Sequence, residues 1–81
     1  ISLEYHYEGT EDLKSYISSV EVLKGIHKGT TLTVYGCFKN FPKLSNGELL
    51  QILTESGMDT ETTEYYYSPH RNQLEVVWHG R

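Results

Sequence analysis

Residues 2–8 and 73–79 both alternate with period two, and this constrains the fold more than any other feature. In the first segment Leu3, Tyr5 and Tyr7 share one side, with Glu4, His6 and Glu8 on the other. In the second, Leu74, Val76 and Trp78 oppose Glu75, Val77 and His79. Such alternation marks strands buried on one side only, so a sheet with one covered and one open face is expected. Thr31 to Phe38 adds a strand, with Leu32 and Val34 directed one way and Thr31, Thr33 and Tyr35 the other; Gly36 is expected to mark a bulge. Residues 60–67, rich in Thr and Tyr, read as a further strand. About five turn residues separate it from the last one, which predicts a hairpin.

Helical spacing fills the gaps. Leu13, Tyr16, Ile17, Val20 and Leu23 predict a helix over 11–24, with Thr10 as N-cap and Glu11 and Asp12 in its first turn. Lys24 suits its C-terminal end, and Gly25 the left-handed position that stops it. The β-branched Val20 and Val22 leave open a second reading, in which residues 20–24 form a strand paired with the next across residues 26–29. Between Lys39 and Lys43 a loop containing Pro42 is expected. The second helix has a complete local signature. Ser45 and Glu48 form a capping box, and Leu44 and Leu49 a hydrophobic staple. Leu49, Leu50, Ile52 and Leu53 supply a buried face, Gly57 closes the helix, and Met58 sits where a Schellman cap places its apolar contact.

The order is β-α-β-α-β-β in a single domain over residues 1–81. The fold class expected is α+β: a two-layer α/β sandwich, a four-stranded mixed sheet with two helices on one face. The covered face would hold Leu3, Tyr5, Tyr7, Leu32, Val34, Leu74, Val76 and Trp78. The open face would carry Glu4, His6, Glu8, Thr33, Tyr35, Glu75, Val77 and His79, with residues 65–67 divided between the two.

This element order resembles that of the small sulfur-carrier domains of the TusA type, and of the RNA-binding C-terminal domain of bacterial translation initiation factor three. Those carriers have Cys-Pro-x-Pro at the start of the first helix. Here the place reads Thr10-Glu11-Asp12-Leu13, and Cys37 lies on a later strand, so the resemblance does not extend to sulfur transfer by that chemistry. The translation-factor resemblance implies a basic surface, which this sequence lacks.

Charge and cysteine usage narrow the function classes. The formal net charge is −4, and the seven Lys and Arg are scattered. Phosphate neutralisation takes several clustered cations, so nucleic-acid binding and anionic membranes are disfavoured and a protein partner is favoured. No apolar run approaches the ~18 residues that cross a bilayer. Residues 1–8 have neither the basic start nor the apolar stretch of a signal peptide. A chain that opens on Ile1 and closes on Arg81 is expected to be a processed product or an excised domain. One cysteine builds no disulfide framework, which points to a reducing, cytoplasmic or otherwise intracellular setting.

Several constellations compete with plainer readings. His6 and His79 would approach Glu4, Glu8 and Glu75 if the first and last strands are neighbours, and such a set could ligate a divalent metal; the plain reading is a polar sheet face, and no metal or other cofactor is expected. Cys37, with Lys39 two residues on, could be nucleophilic, but a lone strand cysteine is usually a small hydrophobe. Gly25 to Gly29 with Lys28 follows a helix and precedes a strand, the reverse of a phosphate-binding loop. Tyr65-Tyr66-Tyr67 is the most distinctive stretch. Exposed tyrosines suit binding surfaces, although strands favour tyrosine anyway. The binding residues expected are therefore Tyr35, Tyr65, Tyr67 and Val77, flanked by His6 and His79. The function expected is a non-enzymatic interaction or regulatory domain that binds a protein, or a second copy of itself. RNA binding on a translation-factor-like scaffold is the alternative, and sulfur handling comes third.

Overall fold

Ser45 sets the second helix, α2 (Asn46–Glu55): its hydroxyl accepts from the Glu48 N–H while the Glu48 carboxylate accepts from the Ser45 N–H. The other end closes as a Schellman motif. Gly57 adopts φ +90°, its N–H reaches the Thr54 carbonyl, and the Met58 N–H reaches the Leu53 carbonyl. Met58 is buried by this turn, as are Leu49 and Leu53. Leu50, expected on the buried face, is instead 40% exposed, because one apolar stripe of a surface helix suffices to face the core.

The computed structural model describes residues 2–10, 12–39 and 43–80. Glu11 and Pro42, expected in a helix turn and a loop, lie outside the described residues. The remaining elements are β1 (Ser2–Thr10), α1 (Leu13–Ile26), β2 (Thr31–Phe38), β3 (Thr63–Ser68), a short 3-10 turn (Pro69–Arg71) and β4 (Gln73–Trp78). The sheet is mixed, in the order β1-β2-β4-β3, with β1 parallel to β2 and the other pairs antiparallel. Both helices pack on one face. Leu13, Tyr16, Ile17, Val20 and Leu23 of α1 and Leu49 and Leu53 of α2 share one core with Leu32, Val34, Leu74, Val76 and Trp78 of the sheet. Leu3, Tyr5 and Tyr7 are only half-buried against it, since β1 is an edge strand.

Three local expectations are corrected, and one alternative is excluded. The N-cap of α1 is Asp12, not Thr10: Asp12 Oδ1 accepts from the Ser15 N–H at 2.7 Å, while Thr10 stays in β1 opposite Phe38. Gly25 lies inside α1, which runs two residues further; the left-handed glycine is Gly29, whose N–H donates to the Gly80 carbonyl. Residues 20–24 are helical throughout, because Val20, Leu23 and Lys24 are buried on the stripe begun by Leu13 and Tyr16. The strand reading of that segment is thereby excluded.

Finally, Gly36 is not a bulge. β2 pairs with β4 in unbroken register from Leu32 to Cys37, and the irregularity falls instead in β1 between Glu8 and Thr10, at Gly9 with φ +67°. Gly36 makes room. A Cβ there would lie 2.7 Å from two ring atoms of Tyr16. That ring is 1% exposed, meets Phe38 edge-on, and donates its hydroxyl to the Val34 carbonyl at 2.6 Å. Burial, reinforced by the Glu75 charge, holds the Tyr16 phenol far above its ordinary range and so neutral.

Candidate functional site

Because side chains alternate along each strand, the register fixes what meets on the face the helices leave open. Three rows of residues cross all four strands in the order β1, β2, β4, β3. The first is Glu4, Thr33, Val77 and Glu64; the second His6, Tyr35, Glu75 and Tyr66; the third Glu8, Cys37, Gln73 and Ser68.

The middle row is aromatic at two positions and carries direct contacts. The rings of His6 and Tyr35 stack at 4.6 Å between centroids, 11° from parallel. The Glu75 carboxylate next to Tyr35, aided by Glu4, holds its phenol above the ordinary value of 10.0. Tyr66 is 56% exposed, one of the exposed large hydrophobic side chains among the described residues. A depression of about 420 Å³ runs along the second and third rows, with Arg71 of the 3-10 turn at its rim. At the far end of the face, His79 Nε2 lies 2.8 Å from the Glu64 carboxylate, both largely in solvent. The face thus presents carboxylates at Glu4, Glu8, Glu64 and Glu75 around the Tyr35 and Tyr66 rings.

The expected binding residues are not all brought together. His6, Tyr35 and Val77 lie on the open face, and His79 borders it just past β4. Tyr65 and Tyr67 do not: both turn toward the helix layer and pack against the core, and the Tyr67 hydroxyl accepts from the Leu44 N–H at 3.2 Å. Tyr66 takes their place. Its signal is parity: in an antiparallel hairpin Tyr66 pairs with Glu75, an open-face residue, while Tyr65 and Tyr67 pair with the buried Val76 and Leu74. Arg71 and Gln73 carry no pattern of their own; only the hairpin places them.

The metal reading required β1 beside β4, but β2 lies between them, which separates His6 from His79. Among the described residues no group of three His, Cys, Asp or Glu side chains is placed to hold a metal. Cys37 is half-buried, with Glu8 and Gln73 as cross-strand partners, and neither supplies positive charge. No helix among the described residues is long and apolar enough to cross a membrane. No protein family, curated protein or solved structure matches this chain.

Proposed function

We propose that the protein is a non-enzymatic binding domain whose open sheet face takes an extended, cationic segment of a partner protein. The observation that carries this reading is the row His6–Tyr35–Glu75–Tyr66 spanning the whole uncovered face, bracketed by Glu4, Glu8 and Glu64. Rigid tyrosine rings contribute contact area at low entropic cost, and Arg or Lys stacks on such rings. The surrounding carboxylates supply complementary charge and steer association. Self-association through this face is opposed by the same carboxylates, so the partner is a different chain. The face repels phosphate, which ranks RNA second despite the exposed aromatics.

The test is fluorescence anisotropy with three labelled probes: an extended peptide alternating Arg or Lys with Thr and Val, its Glu counterpart, and single-stranded oligouridine. Binding of the basic peptide alone, weakened by Tyr35→Ala or Tyr66→Ala, is expected. A response to oligouridine that collapses with salt would replace this reading with RNA binding. No response to the basic peptide would refute it.

A further inference from the structure

On the other face, at the opposite end of the sheet, a second cleft of about 390 Å³ opens between the C-terminal half of α1, the segment following α2 and the end of β4. At its base is Lys24, whose side chain is only 10% exposed. An ammonium has three N–H donors. Among the described residues Lys24 hydrogen bonds only Thr63 Oγ1, at 3.1 Å; it also pairs with Glu21 Oε1 at 3.7 Å and lies over the Trp78 ring, 5.6 Å from its centroid. With one hydrogen bond, one ion pair and an indole face, the ammonium keeps donor capacity for a further acceptor in the cleft.

The walls are bare at the place where a ligand would sit. Gly25 lies inside α1, where alanine is favoured over glycine, and a Cβ there would meet nothing within 4 Å. Gly25 is exposed and next to the last residue of α1, so the helix backbone there is open to the cleft and leaves room for a ligand beside it. Lys28 is the second cation of the lining, and Glu21 and Asp59 are its carboxylates. Asp59 is held in place by its own turn, accepting from the Glu61 N–H and the Thr62 hydroxyl.

Two cations balanced by two carboxylates beside an indole do not suit a bare anion or a bare cation. We propose that this cleft binds a small zwitterion of the amino-acid class, its carboxylate against Lys24 and Lys28 and its ammonium against Glu21 and Asp59. Trp78, the only tryptophan of the chain, borders the cleft and reports on it.

The experiment is a titration of Trp78 emission in the full chain with a panel of free α-amino acids. Propionate, propylamine and inorganic phosphate serve as probes lacking one charge or the carbon skeleton. A saturable change is expected with at least one amino acid, about tenfold weaker with each incomplete probe. Gly25→Leu should abolish it while melting no lower than wild type, and Lys28→Glu should weaken it by about tenfold. The proposal is overturned by no saturation with any amino acid at about 10 mM. It is equally overturned if propionate or phosphate binds as well, or if Gly25→Leu folds and still binds.

Discussion

Gly36→Ala would force a methyl group into the Tyr16 ring at 2.7 Å, well inside van der Waals contact. The ring has little freedom to retreat, because Phe38 meets it edge-on and its hydroxyl is tied to the Val34 carbonyl at 2.6 Å. Overpacking of this kind costs ~1–3 kcal/mol. If the ring swings away, the buried hydrogen bond goes with it, at ~1 kcal/mol or more. Against this, alanine recovers ~0.5–1 kcal/mol of strand backbone entropy relative to glycine. The balance is a destabilisation of about 2 kcal/mol, which for a domain of this length lowers Tm by roughly 8–16 °C. Thermal melts by circular dichroism and urea titrations both report it. The cause is isolated by a double-mutant cycle: with Tyr16→Leu already present, Gly36→Ala should cost about 1 kcal/mol less than it does alone. A Gly36→Ala protein within about 0.5 kcal/mol of wild type would refute the reasoning.

Glu75→Gln should return the Tyr35 phenol toward its ordinary value of 10.0, read by ring carbon chemical shifts across alkaline pH. The Asp12 and Glu48 carboxyls are both held below their ordinary values of 3.8 and 4.5, chiefly by the backbone N–H groups of Ser15 and Ser45. Their contribution to stability is therefore complete above those values and is lost as pH falls through the lowered native ones. Asp12→Asn with Glu48→Gln should flatten the acid limb of a stability–pH profile. Ser45→Ala removes the side-chain acceptor of the capping box and should cost about 1 kcal/mol in urea unfolding. Asn72 sits at φ +53° with a buried Oδ1 that has no partner among the described residues, so Asn72→Gly should hold or raise the melting temperature.

What could be read from the sequence divides along local and non-local lines. α2 was legible residue by residue because cap, staple and Schellman turn all lie within residues 44–58 and agree with one another. The start of α1 was not. Thr10 and Asp12 are both competent caps, and pairing of Thr10 opposite Phe38, a partner far along the chain, decides for Asp12. Gly36 could be recognised as special, but its function depends on a ring twenty residues earlier that packs against it only in three dimensions. The open face followed from alternation, which is why His6, Tyr35 and Val77 were found. Tyr66 was missed because three successive tyrosines have no parity of their own; pairing with Glu75 supplies it. Strand order carries no local signal either, and it is strand order that parts His6 from His79.

In the proposed function the extended basic segment docks on the open face and not on the helix layer. Amide chemical-shift mapping during titration with the alternating basic peptide tests it directly. Shifts are expected to concentrate at Glu4, His6, Thr33, Tyr35, Glu75, Tyr66 and Arg71, with α1 and α2 undisturbed. Shifts confined to α1 and α2, or absent at saturating peptide, would contradict it.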